Sequence, residues 1–348
     1  MVKVEKIGLI LEPTTNVFET RAVLNPAVFQ DGNDIHIIYR AIADDYISTL
    51  GYARLSGPTN VVERWNKPFM TPKLKAESKG IEDPRIVKID GTYYMTYVAH
   101  DGKNAVTYFA EGPSLFELSR GFMVSPKIMY KEAAEIFRYQ KLKDDYYFYE
   151  AFYKEFSGKN ILIWHKDCIL FPEKINGEFK MLQRILPDIQ LISFEDFGQL
   201  KEKYFWIHYL LSELAASVVL ESEYTFEERN VGGGCPPIRT AAGWLMIYHG
   251  VHENNSTRTY SACAALLDLE DPRKLIAKLP YPLFTPTNEA ESLGLVNNVV
   301  FPTGTAQFGD DLYIYYGAAD TRIAAAKVSM NELLAELKAN PVNTAVQS

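Results

Sequence analysis

Asp83 lies in the run Ile81-Glu82-Asp83-Pro84-Arg85, with a second acid on one side and an arginine two residues beyond. A neighbouring acid raises a carboxyl's pKa and equips it to donate a proton, whereas a neighbouring arginine holds it ionised. Pro84 biases Asp83 away from helix and toward extended chain. The competing reading is an Asp-Pro turn with a surface ion pair. Four further places set polar or charged groups beside Gly, Pro and aromatic residues: Asn25-Pro26-Ala27 with Tyr39-Arg40, Glu227 to Pro237, Tyr248-His249-Gly250 with Tyr260, and Tyr315 to Asp320. Gly232 to Gly234 lack the GK[ST] ending of a nucleotide loop and lead into Cys-Pro-Pro, so they read as a place of close backbone approach. Glu227 and Glu228 read equally well as turn charges, and His249 as a hydrogen-bonded channel histidine.

Flat rings beside scattered carboxylates suit a sugar, which offers apolar faces for stacking and a glycosidic oxygen for protonation. The chain carries 22 Tyr, 19 Phe and 4 Trp, although packing between sheets accounts for most such rings.

These residues need a scaffold, and one pattern recurs that could supply it: a turn dipeptide followed by an alternating apolar and aromatic run. It begins at Asp31, Asp90, Asn176, Ala242 and Gly309, and reads each time as a hairpin leading into an inner strand. The turn positions 32, 91, 177, 243 and 310 are separated by 59, 86, 66 and 67 residues. A similar run from Asp144 falls inside the long gap. Five units of about 70 residues point to a five-bladed β-propeller, since one unit alone cannot bury its apolar faces; a pair of β-sandwiches is the alternative. Helical periodicity is confined to 193–214, read as an excursion between blades, and to 330–340 at the C-terminus. No Pro/Gly/Ser-rich linker divides the chain, so residues 1–348 are expected to form one unit.

Composition excludes several classes. With 36 Lys+Arg against 44 Asp+Glu, a formal net charge of −8 and no basic block, nucleic acid is an unsuitable partner. No stretch resembles a signal peptide or a membrane span, which sets a cytoplasmic expectation, a trimmed leader being the alternative. Cys168, Cys235 and Cys263 have neither disulfide nor metal spacing, and no HExxH occurs, so no metal and no cofactor is expected. Phe205, Trp206 and Tyr209, close together in the helical excursion, are a candidate contact between copies of the chain.

Taken together, NPA with YR, IEDPRIVKIDGTYYMTY, ILFPEKING, GWLMIYHGV, ALLDLEDP, NNVVFPTG and IYYGAAD resemble glycoside hydrolase family 130, in consistent order from about Asn25 to Asp320. The resemblance implies a five-bladed propeller acting on β-mannosides by an inverting mechanism, with Asp83 as general acid. It further implies that Asn25, Arg40, Glu291 and Asp320 hold the mannosyl hydroxyls, with Arg85 beside the acid. Phosphorylases of this family bind inorganic phosphate as nucleophile, and its hydrolases activate water with glutamate. Carried over motif by motif, the phosphate positions fall on Lys166, Asp167, Arg184, Asn230, His249 and Tyr260. Lys166 replaces an arginine, Asp167 an asparagine and Asn230 a lysine, and a dianion is served less well by such a set. The expectation is therefore a β-1,2-mannosidase with Glu227, or failing that Glu253, as base. A mannoside phosphorylase forming mannose 1-phosphate is the alternative, and a carbohydrate-binding propeller without turnover the third reading.

Overall fold

The computed structural model describes residues 1–149, 160–255 and 257–342. The chain is mostly β, arranged as successive antiparallel meanders. β2 (Ala22–Asp31), β3 (Asp34–Ile42), β4 (Ser48–Ser56) and β5 (Asn60–Arg64) form the first; β6 (Gly80–Ile89), β7 (Thr92–His100), β8 (Ala105–Gly112) and β9 (Ser119–Met123) the second. One parallel bridge, Ser48 to Gly80, joins them into a single sheet. β10 (Lys166–Leu170), β11 (Phe179–Ile185), β12 (Asp188–Phe194) and β13 (Val218–Leu220) make the third. In the fourth, β14 (Asn230–Gly233) and β15 (Ile238–Thr240) both pair with β16 (Gly243–Asn254), followed by β17 (Thr257–Leu267) and β18 (Leu275–Lys278). The fifth, β19 (Val300–Phe308), β20 (Asp311–Ala318) and β21 (Arg322–Ser329), is completed by the N-terminal strand β1 (Val4–Leu11), which pairs with β21.

Each of the five turns read from the sequence joins two strands near the inner side of a meander. Asp90-Gly91 and Asn176-Gly177 have positive φ at both central residues, the geometry that matches strand twist in a two-residue hairpin. The aromatic runs after these turns, expected as inner strands, are the second strands β3, β7, β11, β16 and β20. The first strands lie further in, and their Asn-Pro and Asp-Pro pairs hide their strand character.

The helical excursion also differs from its expectation. Residues 193 and 194 still belong to β12, and helix begins only at Phe197, continuing in short segments to Ser217. The run from Asp144 is helical over 145–149 and not a strand; its remainder lies outside the described residues. Of the aromatic cluster Phe205, Trp206 and Tyr209, Trp206 and Tyr209 are buried in the protein's own core. The C-terminal helix, Met330–Ala339, packs Leu333 and Leu337 into the core. No described helix is long and apolar enough to cross a membrane.

A polar latch recurs in four of the meanders. Glu19, Glu77, Glu227 and Glu291 are each almost fully buried on a short helical turn ahead of a first strand. Each accepts a hydrogen bond from a second-strand tyrosine: Tyr39 at 2.6 Å, Tyr97 at 2.9 Å, Tyr248 at 2.5 Å and Tyr316 at 2.6 Å, in that order. Each also takes a cation: Arg64, Arg120, Lys278 and Lys6 respectively. A buried carboxylate is tolerable only when paired and hydrogen-bonded, and these are both. In the third meander Gln183 stands at the tyrosine's position and shares a 2.6 Å hydrogen bond with buried His165.

Candidate active site

The same register that builds the latches aims the residues of the site. On the second strands, the residue after the latch position is Arg40, Arg184 or His249, opposite Leu24, Lys166 and Gly232 on the first strands. The first strands break register just there: the ladder skips between Leu24 and Ala27, Glu82 and Arg85, and Lys166 and Ile169. In each bulge one residue enters the left-handed region, Asn25 at φ 48°, Asp83 at φ 50° and Asp167 at φ 52°. Asn and Asp tolerate that region better than other non-glycine residues, and a bulge re-aims a side chain away from the strand's own face.

Asn25, Arg40, Asp83, Lys166, Asp167, Arg184, Tyr260, Val299, Phe301 and Asp320 line one cavity of about 160 Å³. Asn25 Nδ2 donates to Asp83 Oδ1 at 2.8 Å, and Arg40 lies 3.6 Å from the same oxygen while donating to Glu82 at 2.9 Å. Lys166 pairs with Glu82 at 3.2 Å and Arg184 with Asp167 at 3.0 Å. Gly317 leaves room for Asn25: a Cβ there would stand 2.1 Å from Asn25 Oδ1.

The charges set the proton affinities. Burial alone would raise Asp83, but Arg40, Lys166 and the Asn25 amide outweigh it and hold its carboxyl below the usual range. Asp320 goes the other way: burial, aided by Asp83 and Glu82 against Arg40 and Lys166, pushes it up to about 6. His249 is lowered to about 3, chiefly by burial, and is neutral.

The sequence-read residues thus divide. Asn25, Arg40, Asp83, Lys166, Asp167, Arg184, Tyr260 and Asp320 come together in the cavity. His249 lies just behind it, its ring 4.4 Å from that of Phe301 and its Nε2 3.4 Å from Arg184. Arg85 is buried and braces the bulge, donating to the carbonyls of Gly234, Asp83 and Pro84. Asn230 is buried on β14 and is not part of the cavity lining.

Three assignments need correction. Glu227 is fully buried in its latch with Tyr248 and Lys278, so it has no face toward substrate or water. Glu291 is engaged in the same way by Lys6 and Tyr316. Glu253 pairs with Arg229 and Arg258 outside the cavity lining. Val299 and Phe301 were missed, because an apolar residue in a strand pattern gives no sign that it faces a cavity. Among the described residues no cluster of His, Cys, Asp and Glu is arranged to hold a metal ion.

Comparison with known proteins places this site in context. The family model described as beta-1,4-mannooligosaccharide phosphorylase matches residues 8–339. A 1,2-beta-oligomannan phosphorylase of Thermoanaerobacter sp. (strain X514) is 34% identical over 96% of this chain and 99% of its own length. A beta-1,2-mannobiose phosphorylase of the same organism is 32% identical over 91% of this chain and 93% of its own. Among solved structures, the beta-1,2-mannobiose phosphorylase of Listeria innocua, in complex with beta-1,2-mannobiose, superposes with a TM-score of 0.73 at 21% identity, covering 97% of this chain and all of that one.

Proposed function

Because this chain belongs to glycoside hydrolase family 130, we propose that it is an inverting β-mannoside phosphorylase, with β-1,2-linked mannosides as substrate, and not the mannosidase its sequence led us to expect. The observation that carries the reading is the lining of the cavity. Lys166 and Arg184 stand in it, whereas Glu227 and Glu253, the glutamates expected to activate water, stand outside it. The relatives named as phosphorylases acting on 1,2-linked mannosides support the same choice.

We read the scaffold as a five-bladed propeller forming a single catalytic unit. In support, the five first strands are linked in a ring. Asn25 reaches Asp83, Lys166 reaches Glu82, and Thr303 Oγ1 donates to Pro26 O at 2.8 Å. Added Cβ atoms on Gly233 and Gly234 would stand 3.2 Å from Asp167 O and 3.1 Å from Pro302 O.

In this mechanism Asp83 is the general acid. The phosphate oxygen forms a bond to the anomeric carbon from the face opposite the leaving sugar. The glycosidic carbon–oxygen bond breaks, its electron pair goes to the leaving oxygen, and that oxygen takes the proton delivered by Asp83. The product is α-mannose 1-phosphate, whose own acidic proton resets the carboxyl. The resting carboxylate of Asp83 is held ionised by Arg40 and Lys166. An anion arriving beside Lys166 offsets part of that support and raises the proton affinity of Asp83 when the acid form is needed. Asn25, Arg40 and Asp320 hold the mannosyl hydroxyls, and Lys166, Arg184 and Tyr260 the phosphate, with His249 and Arg85 positioning behind them.

The test is product analysis on β-1,2-mannobiose with and without inorganic phosphate. Mannose 1-phosphate forming only when phosphate is present is the expected result. Free mannose released at the same rate in phosphate-free buffer would establish the hydrolase instead, and binding without turnover the lectin.

A further inference from the structure

Lys166 and Arg184 are direct cross-strand partners on β10 and β11, and their side chains share one face of that ladder. Both enter the cavity, and both are already matched by a carboxylate, Lys166 by Glu82 and Arg184 by Asp167. The two pairs are not equivalent. Glu82 also serves Arg40, so it is shared between two cations. Asp167 is 5% exposed, is held in the left-handed region at φ 52° and places Oδ2 3.0 Å from Arg184 Nη1. Gly232 permits this placement, since a Cβ there would stand 2.7 Å from that same oxygen and 2.3 Å from the His249 ring. The carboxylate thus stands within ion-pair distance of the guanidinium that would otherwise face an incoming oxyanion alone, and its Oδ2 is buried without a hydrogen-bond partner of its own.

We propose that Asp167 is a tethered carboxylate that competes with the acceptor anion for Arg184, and that it thereby sets how tightly the enzyme takes phosphate. The proposal rests on the phosphorolytic reading. An entering phosphate must share Arg184 with a fixed negative charge that cannot leave the site, and like charges at such distances repel strongly where water is largely excluded. No covalent step is assigned to Asp167. It is a specificity-determining residue whose charge works against the acceptor and whose shape completes the floor of the site.

The experiment compares wild type with Asp167→Asn, which preserves the shape and removes the charge, and with Asp167→Ser as a smaller neutral variant. The expected result is a fall of about tenfold or more in KM for inorganic phosphate in both variants, and a smaller change in KM for the mannoside. Calorimetric titration of each protein with inorganic phosphate alone reads the same quantity without turnover. A wild type that makes no mannose 1-phosphate would sink the phosphorolytic reading, while tighter phosphate binding by the variants would still uphold the competition. Phosphate affinity unchanged or weakened in both variants overturns the proposal. So does mannose release in phosphate-free buffer by wild type that Asp167→Asn abolishes, because Asp167 would then be a base that activates water. Thermal melting with and without phosphate separates a folding defect from a binding change, since a ligand that binds only the folded state raises its apparent stability.

Discussion

Glu227 is fully buried and Asp320 half-buried at the cavity, and the protein treats the two carboxylates in opposite ways. Glu227 accepts hydrogen bonds from Tyr248 Oη at 2.5 Å, Lys278 Nζ at 2.8 Å and the backbone N–H of Glu223 at 3.1 Å. Asp320 accepts none from any described residue; Arg40 and Lys166 act on it only through their fields. A charge that is fully solvated by the fold contributes to stability. A charge left with unspent hydrogen-bonding capacity in a cavity costs stability and is available to a ligand. Being a carboxylate does not separate the two; the number of fixed donors does, and with it how completely the fold covers each side chain.

The widest gap between latch and cavity should appear when one carboxylate of each is removed. Asp83→Asn removes the proposed proton donor without changing shape, so kcat for phosphorolysis should drop by roughly 10³-fold, within the range for loss of a general acid. The urea midpoint should fall, since the ionised carboxylate that Arg40 and Lys166 favour is lost, but the variant remains folded. Activity surviving within tenfold would remove Asp83 from the mechanism. Glu227→Ala takes from Lys278, itself almost wholly buried, its nearest carboxylate and leaves it Glu223 at 3.6 Å and the Glu221 carbonyl, and breaking a buried pair from one side costs about 3–5 kcal/mol. Urea denaturation should show that loss. The folded fraction should retain its turnover, because Glu227 touches nothing in the cavity. Turnover abolished in a variant as stable as wild type would restore Glu227 as a catalytic base.

Much of this arrangement was legible in the sequence, and what was not has a physical cause. Two of the five turns, Asp90-Gly91 and Asn176-Gly177, announced themselves because Asp-Gly and Asn-Gly suit two positive φ values, and the other three each carry a glycine at positive φ, Gly32, Gly243 and Gly309. Asn25, Arg40, Asp83 and Asp320 stood out as polar groups interrupting apolar runs. The error over Glu227 arose because a glutamate's role depends on what covers it, and its partners Tyr248 and Lys278 lie 21 and 51 residues away. A signal did exist in the phase of the repeat: Glu19, Glu77 and Glu227 each stand three residues before the first strand of their meander, at Ala22, Gly80 and Asn230. A catalytic base has no reason to recur at that phase, whereas a structural latch does. The second strands were taken for inner ones because both alternate with the same period of two. The bulges at Asn25, Asp83 and Asp167 mark three of the first strands, β2, β6 and β10.

The cost carried by Asp320 can be measured through pH. Its carboxyl titrates at about 6 in the folded protein, above the ordinary value near 3.9 in an unfolded chain. Between those values the folded state binds the extra proton. This group therefore lowers stability as pH rises from about 4 to 6, and its full cost is present at pH 7. Asp320→Asn should accordingly be more stable than wild type at pH 7, by about 1–3 kcal/mol, and the difference should shrink toward zero as pH falls to 4. Mannoside binding should weaken in the same variant. Equal stabilities at pH 7 would show that Asp320 is as well satisfied as the latch glutamates.

Glu253 supplies the mildest case, because it is neither latched nor in the cavity. It is 27% exposed and pairs with Arg229 and Arg258 on the outer reach of β16 and its neighbours. Partly solvated ion pairs of this kind are worth about 1 kcal/mol, and Glu253 is not among the residues that line the cavity. Glu253→Gln should therefore shift the urea midpoint by less than that amount and leave kcat within about twofold of wild type. A loss of a hundredfold or more in kcat, with the melting temperature intact, would place Glu253 at the reacting water. Hydrolysis would then be the reaction, and an exposed carboxylate would have done what neither the latched nor the cavity-lining ones do.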